Sequence, residues 1–205
     1  MQPLDAQLAF LREADRLKTV LRQSHLIDGS RRENSAEHSW HLALMALVLP
    51  DYAPAGADLG RVLAMLLVHD LVEIDAGDLF AYAGAPAQAR QEAAERAAAD
   101  RIFALLPGAQ GSQIRALWDE FEERHTPEAK FARALDRLQP MLANYVQGGG
   151  TWAEHGVTAD QVLAKVALIE DGSAALGMFA RELVRSSVDQ GFLAPAPAGP
   201  AGVSS

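Results

Sequence analysis

Histidine and carboxylate side chains cluster in the most apolar part of this sequence. The cluster comprises His69, Asp70, Glu73, Asp75 and Asp78. No lysine or arginine lies between Arg61 and Arg90 that could neutralise these side chains. Because a buried carboxylate costs several kcal/mol unless it is paired, this pattern favours a bound cation.

The spacing within this cluster is compatible with two structures. If one helix continues through it, Glu73 lies near the same face as His69, four residues away, and Asp70, three residues away. If the helix instead ends near Val72, the acidic residues that follow belong to a solvated loop and His69 is a core histidine. These residues alone leave both structures open.

Two other segments carry candidate metal ligands. His38 falls in the first turn of a predicted helix and His41 follows three residues later, so both can face one direction and bind zinc together. The alternatives are a helix-cap role for His38 and a packed position for His41. Asp136 adjoins an apolar stripe, where an acidic residue needs a partner such as Arg133 or Arg137.

Composition restricts the class of protein and the chemistry of any metal site. The chain has 205 residues, of which 49% are hydrophobic and 22% charged, as is typical of one globular domain. It has no cysteine, so thiol nucleophiles are excluded and metal ligands must be His, Asp or Glu. A net charge of -9 argues against a nucleic-acid backbone as the main partner.

Neither a secretory leader nor a membrane span is predicted. Charged residues interrupt the amino-terminal segment, and the longest apolar stretch, Val62 to Val68, is far below the roughly 18 residues of a membrane helix. We therefore expect a cytoplasmic protein with no membrane partner.

Apolar residues recur three and four positions apart along most of the chain, which predicts an all-α fold. Helices are expected at about 4–21, 35–49, 59–74, 85–105, 110–124, 127–147, 158–169 and 173–189. The segment 59–74 is apolar on all faces and is predicted to be the central helix of a bundle. The polar stretch Arg22 to Asn34 is expected to be a loop, with Ser35 as the N-cap of the next helix.

The order of the candidate ligands, a histidine, then His-Asp, then an aspartate, resembles that of the HD-domain superfamily of metal-dependent phosphohydrolases. Three segments are similar to blocks of its 5′-deoxynucleotidase branch: RRENSAEHSWHLALMAL, LLVHDLVEIDAGDLFAY and LWDEFEERHTPEAKFARALDRLQPML. They carry the EHS, HDxxE, GD and KFxxxLD patterns of that branch, over about residues 14–147. The resemblance implies an HD-domain bundle of about six to eight helices around one metal site.

The resemblance also implies which residues bind the metal. The ligands of one divalent ion would be His38, His69, Asp70 and Asp136. This mixed nitrogen and oxygen set does not select among Mn, Co, Fe, Ni, Zn and Mg.

Three further residues match positions that act on the substrate in this branch. Glu73 would be catalytic, orienting the attacking water or moving its proton. Asp78 would lie near that water or the sugar hydroxyls, and Arg22 would bind the substrate phosphate. Gln23 departs from the branch, which carries tryptophan there, and this departure bears on sugar and base selection.

By this resemblance the protein is a hydrolase of phosphoric esters. It would release phosphate from (deoxy)nucleoside 5′-monophosphates, with the deoxy form expected, by attack of metal-activated water. One alternative is an HD hydrolase of another nucleotide, such as a triphosphate, an alarmone or a cyclic dinucleotide. The other is a non-catalytic metal-binding helical scaffold.

The resemblance extends to domain organisation and assembly. We expect a single HD domain at 1–192, with its core at about 14–147 and C-terminal helices at about 158–189. A flexible tail at 193–205 is expected to follow, because that segment is rich in Pro, Ala and Gly. The family implies a homodimer.

Overall fold

The helical patterns of the sequence become helices in the structure, a computed structural model that describes residues 2–197. The α-helices are α1 (Pro3–Ala14), α2 (Ser35–Val48), α3 (Leu59–Val68), α4 (Glu73–Ala76), α5 (Ala85–Phe103), α6 (Gly108–Glu123), α7 (Pro127–Val146), α8 (Gly150–His155), α9 (Ala159–Gly172) and α10 (Ala174–Asp189). The predicted all-α bundle is confirmed. None of these helices is both long and apolar enough to cross a membrane.

The described residues form more helical segments than the six to eight expected. One reason is α8, which the pattern does not predict because the three consecutive glycines at 148–150 are typical of a helix end. These glycines form only a tight connection, in which Gly149 has a φ of 124°. A Cβ atom there would lie 2.9 Å from the Phe192 carbonyl oxygen, so the connection requires glycine.

Helix α7 is the central element of the larger hydrophobic core. Its apolar stripe, Phe131, Leu135 and Leu138, is buried at four- and three-residue spacing. The helix contacts α2, α3, α6, α8, α9 and α10. Because Asp136 lies on this enclosed helix, its carboxylate is held inside the protein.

The segment predicted to be one central helix, 59–74, is interrupted where its ionisable groups begin. α3 ends at Val68, a 3-10 turn spans His69–Val72, and α4 begins at Glu73. Hydrophobic periodicity does not distinguish an α-helix from a 3-10 turn here, since most residues of the segment would be buried in either conformation. In a 3-10 turn residues three apart lie on one face, so Asp70 and Glu73 point to the same side and both approach Arg22.

The polar stretch predicted to be a loop, Arg22 to Asn34, forms a β-hairpin instead. Strands β1 (Leu21–His25) and β2 (Arg32–Asn34) pair in antiparallel orientation. The prediction was wrong because the strands are short and carry no alternating hydrophobic pattern. β1 contacts α7 and α8, and this contact brings Arg22 to the interior of the protein.

Asn34, and not the predicted Ser35, is the N-cap of α2. Its side chain accepts the Glu37 N–H at 2.9 Å, and the Glu37 carboxylate accepts the Asn34 N–H at 3.2 Å. Because Asn34 caps the helix, the Ser35 hydroxyl is not used as the cap. It donates instead to Glu73 Oε2 at 2.5 Å.

The carboxyl-terminal helices begin as predicted, with Thr158 in a capping box for α9 and Ser173 as the cap of α10. Beyond α10, Leu193 is buried and the Ala194 carbonyl accepts the Ala159 N–H at 2.8 Å. Most of the predicted flexible tail, residues 198–205, lies outside the described residues. The division into one domain and a tail stays a prediction.

Close contact between α9 and α7 makes Gly172 a sensitive position. A Cβ atom at Gly172 would lie 2.2 Å from the Lys130 carbonyl oxygen and 2.8 Å from Ala134 Cβ. We expect Gly172→Ala to lower the free energy of unfolding by about 1–3 kcal/mol, because the two helices must separate. Urea unfolding measures this change.

Gly84→Ala is the matched control for this substitution. Gly84 is the N-cap of α5 with a φ of -66°, and the nearest atom to an added Cβ is 3.9 Å away. Alanine is a poorer N-cap than glycine but makes the unfolded chain less flexible, so the two effects oppose each other and the net change should stay below about 1 kcal/mol. Equal stability of the two variants would contradict the close approach of α9 to α7.

Candidate metal centre

Three separate elements bring histidine and aspartate side chains to one buried point. His38 comes from the first turn of α2, His69 from the turn after α3, and Asp136 from the middle of α7. One ligand atom from each lies within 4.8 Å of the others. His38 Nε2 is 3.1 Å and His69 Nε2 is 3.8 Å from Asp136 Oδ1. Two nitrogens and one oxygen therefore face a common centre.

Asp70, the fourth predicted ligand, lies beside the same centre. Its Oδ1 is 3.0 Å from His69 Nε2, and its Oδ2 accepts a hydrogen bond from Arg22 Nη1 at 2.7 Å. The carboxylate therefore has one oxygen on the histidine side and one on the arginine side. Asp70 thus lies next to His69, beside the group of three residues whose ligand atoms converge, and is not part of that group.

The protonation of His69 fits a bound cation. Its Nδ1 lies 2.9 Å from the Leu66 carbonyl oxygen, which can only accept, so Nδ1 carries the proton. Burial lowers the pKa of His69, so the imidazole tends to be neutral. The Nε2 atom then presents a lone pair, and it is buried with no hydrogen-bond partner. A metal ion is the partner that this lone pair fits.

Asp136 remains ionised although it is buried. Burial by itself raises its pKa, but Arg137, His38, His69 and Arg133 together hold the pKa well below its usual range. Arg137 Nε and Arg133 Nη1 each lie 3.4 Å from Asp136 Oδ2. The two arginines considered as partners for Asp136 are therefore both present, on the side away from the histidines.

Glu33 is a residue of the centre that the sequence did not reveal. This buried carboxylate has Oε2 3.3 Å from His38 Nδ1, and it accepts a hydrogen bond from Gln139 Nε2 at 3.0 Å. A carboxylate behind a histidine orients the ring toward a metal. The polar stretch around Glu33 is typical of a solvated loop, so nothing in the sequence pattern indicates that Glu33 is buried.

Arg22 connects the metal ligands to the other acidic residues. Its Nη1 lies 2.7 Å from Asp70 Oδ2, 3.7 Å from Glu73 Oε1 and 3.8 Å from Asp78 Oδ1. Burial by itself lowers the pKa of Arg22, but these carboxylates raise it above its ordinary value, so the guanidinium stays charged. One cation thus neutralises part of the negative charge of the acidic cluster, which consists of Asp70, Glu73 and Asp78.

Glu73 and Asp78 lie beside Arg22 in different surroundings. Burial and the Asp70 carboxylate raise the pKa of Glu73 well above its ordinary value, against the opposing effect of Arg22. Asp78 is less enclosed and accepts the Gln23 N–H at 2.8 Å, and burial raises its pKa too. Because Glu73 is buried, the alternative of a solvated loop is wrong for this residue.

Other candidates from the sequence lie away from the centre. His41 Nδ1 is 3.3 Å from Gln139 Nε2, and His41 belongs to no metal-capable group among residues 2–197. Asp75 pairs with Arg101 at the surface, with Oδ2 2.5 Å from Nε. The pairing of His38 and His41 as zinc ligands is therefore not formed.

A cavity of about 300 Å³ adjoins the centre. Arg22, Gln23, Glu73 and Asp78 line it together with Asp136, one of the predicted metal ligands. Its other lining residues include three aromatic side chains, Phe80, Tyr82 and Trp152, and four cations, Arg124, Arg133, Arg137 and Lys165. The volume lies at the lower end of the range for small-molecule sites.

Comparison with known sequences places the similarity over most of the chain. The model of the HD domain family matches residues 14–176. A protein of Danio rerio named 5′-deoxynucleotidase HDDC2 is 30% identical over 140 residues, which cover 68% of this chain and 68% of that protein. The human protein of the same name is 31% identical over 136 residues, which cover 66% of this chain and 65% of its own length.

Solved structures share the same fold. A crystal structure from Magnetospirillum magnetotacticum, named a predicted metal-dependent phosphohydrolase, is 52% identical with a TM-score of 0.89, covering 95% of this chain and all of that one. A protein from Pyrococcus horikoshii is 23% identical with a TM-score of 0.60, covering 89% of this chain and 99% of that one. The second similarity concerns the fold alone.

Removal of Arg22 tests its role in neutralising the acidic cluster. We expect Arg22→Met to lower the free energy of unfolding by about 3–5 kcal/mol, because Asp70, Glu73 and Asp78 lose their shared cation. Urea unfolding in the presence of a chelator measures this change without a contribution from bound metal. Arg12→Met is the control, since Arg12 is exposed on α1. Equal stability of both variants would contradict the role of Arg22.

Proposed function

Because the chain belongs to the HD-domain family, we propose that it is a metal-dependent phosphohydrolase that releases phosphate from (deoxy)nucleoside 5′-monophosphates. One observation carries the proposal: His38, His69 and Asp136 place ligand atoms within 4.8 Å of one another beside a cavity. A structural metal has no need of an adjoining cavity that Glu73 and Arg22 line. The arrangement therefore favours turnover over the metal-binding scaffold.

Four side chains would hold the ion in this proposal. His38 and His69 offer imidazole nitrogens, and Asp70 and Asp136 offer carboxylate oxygens. The imidazoles suit Mn, Fe, Co, Ni or Zn and the carboxylates also suit Mg, so the set does not choose the ion. When bound, the ion supplies Lewis acidity, polarising a phosphoryl oxygen and lowering the pKa of a water molecule.

We assign proton transfer to Glu73. Ser35 Oγ donates to Glu73 Oε2 at 2.5 Å, which fixes one carboxylate oxygen and leaves Oε1 toward Arg22. Burial raises the pKa of Glu73. A carboxylate with a raised pKa is a more efficient base near neutral pH, because its pKa is then closer to the pH of the reaction. In this role Glu73 orients the attacking water and accepts its proton.

We assign substrate binding to Arg22 and Asp78. Arg22 Nε is buried with no hydrogen-bond partner, so a planar guanidinium donor remains available for a phosphate oxygen. Asp78 lies on the cavity wall, where its carboxylate can accept a sugar hydroxyl. Arg22 Nη1 lies 3.7 Å from Glu73 Oε1 and 3.8 Å from Asp78 Oδ1, so the two substrate-binding residues lie beside the proposed base.

The aromatic part of the cavity suits a nucleoside. Phe80 and Tyr82 line it, with ring centroids 5.3 Å apart, and Phe80 also lies 4.4 Å from the His155 ring. Aromatic faces stack on nucleobases without strong base preference. Relatives named 5′-deoxynucleotidase support the same substrate class.

Loss of single ligands tests the metal assignment. We expect His69→Ala and Asp136→Asn each to weaken binding of Mn or Co by more than about 100-fold, because one coordinating atom is lost. Metal content after gel filtration measures the change. His125→Ala is the control, since His125 is exposed between α6 and α7. Full metal content in both ligand variants would contradict the assignment.

Replacement of Glu73 tests the chemical step. We expect Glu73→Gln to retain its metal and to lose about 10²- to 10⁴-fold in kcat, because the amide cannot accept a proton from water. Phosphate release from 5′-monophosphates and 5′-triphosphates, with Mn, Co, Mg or Zn, measures the rate. Glu182→Gln, at the exposed surface of α10, should behave as wild type. A wild-type rate for Glu73→Gln would exclude this catalytic role.

A further inference from the structure

Four cationic side chains line the cavity beside the metal centre. Arg133 and Arg137 lie on α7 on either side of Asp136, Lys165 lies on the facing helix α9, and Arg124 follows α6. All four line the cavity that also contains Glu73. We call Arg124, Arg133, Arg137 and Lys165 the basic cluster. It is notable in a chain whose net charge is -9.

The basic cluster has too few carboxylate partners among residues 2–197. Arg133 Nη2 lies 3.3 Å from Glu122, and Arg133 and Arg137 share Asp136 Oδ2 at 3.4 Å each. Lys165 and Arg124 have no carboxylate within 4.0 Å in this part of the chain. Two carboxylates therefore face four cations.

Two other acidic residues of the cavity do not fill this deficit. Glu92 pairs with Arg96, with Oε2 3.6 Å from Nη2. Glu95 accepts a hydrogen bond from Gln91 Nε2 at 3.0 Å. Within the described chain neither forms an ion pair with the basic cluster, and Glu95 acts on Arg133 only by attraction at longer range, which helps to raise the pKa of Arg133. The four cations therefore still outnumber the acidic groups that act on them.

The surroundings of Lys165 show the consequence of this excess. Burial lowers the pKa of the Lys165 ammonium, and Arg137, Arg133 and Arg124 lower it further by repulsion. Arg137 Nε, close by, is buried with no hydrogen-bond partner. An anion bound between these groups would relieve the repulsion and accept the unused donors.

The metal centre strengthens this demand for an anion, and here the inference rests on the proposed function. Asp136 Oδ1 faces His38 and His69, where the ion would be held, so the charge of Asp136 is shared with the ion. Only Oδ2 remains for Arg133 and Arg137. Arg22 lies on the Asp70 side of the centre and the basic cluster on the Asp136 side.

We propose that Arg137 and Lys165 bind a second phosphate group of the substrate, distinct from the phosphate that is hydrolysed. The preferred substrate is then a nucleotide with two phosphate groups. The phosphate under attack lies at the metal centre near Arg22, and the second lies in the basic cluster. A 3′,5′-bisphosphate carries this chemistry and keeps the 5′-monophosphate ester of the proposed function, and a 5′-diphosphate is the comparison substrate in the kinetic test.

The kinetic test compares these nucleotides with the 5′-monophosphate of the same nucleoside. We expect Lys165→Gln to lower the ratio of kcat/KM for the two-phosphate substrate over that for the monophosphate by about tenfold, mainly through KM, because one charged contact is lost. Lys130→Gln is the matched control, since Lys130 pairs with Asp171 outside the cavity. An equal loss for both substrates would place the hydrolysed phosphate in the basic cluster and overturn the proposal.

A binding measurement gives a result that does not depend on turnover. Inorganic phosphate is titrated calorimetrically into the full-length protein with its metal and again after chelation. We expect phosphate binding that persists after chelation and is weakened about tenfold by Lys165→Gln but not by Lys130→Gln. Identical binding by the two variants would overturn the proposal. If wild type hydrolyses no nucleotide while this binding is present, the proposed function fails and the anion site stands.

Discussion

The carboxylate of Asp136 is the interaction on which the rest of this site depends. It is buried, and it remains charged because cationic and imidazole groups surround it on two sides. Oδ1 faces the histidines of α2 and the turn after α3, and Oδ2 faces the arginines of α7. One buried charge thus lies between the proposed cation site and the proposed anion site.

Such a charge is tolerated only because the fold surrounds it with rigid elements. Helix α7 contacts six other helices, and its apolar stripe anchors it in the larger core. Partners that come from separate elements cannot move away from the carboxylate without disturbing that core. Stability and function are therefore coupled at Asp136, since the residues that bury it also orient its oxygens.

Arg22 plays the corresponding part for the acidic side of the site. The hairpin carries this arginine into contact with Asp70, Glu73 and Asp78, which repel one another when ionised. The raised pKa of Glu73 shows that one arginine does not fully offset burial and the neighbouring charge. A carboxylate in this state suits proton transfer, whereas in water it would be an ordinary acid.

The sequence alone determined the helical fold and the candidate ligands, because helical periodicity marks buried faces and unpaired ionisable residues in apolar segments demand a partner. These grounds made His69, Asp70 and Asp136 candidates with alternatives open, and only the family resemblance supplied the full set with His38. Tertiary structure decided four other features: the hairpin, the 3-10 turn at His69, the contact of Glu33 with His38 and the excess charge around Lys165. Periodicity indicates which side of an element is buried, but the partner of a buried group is set by segments far away in the chain.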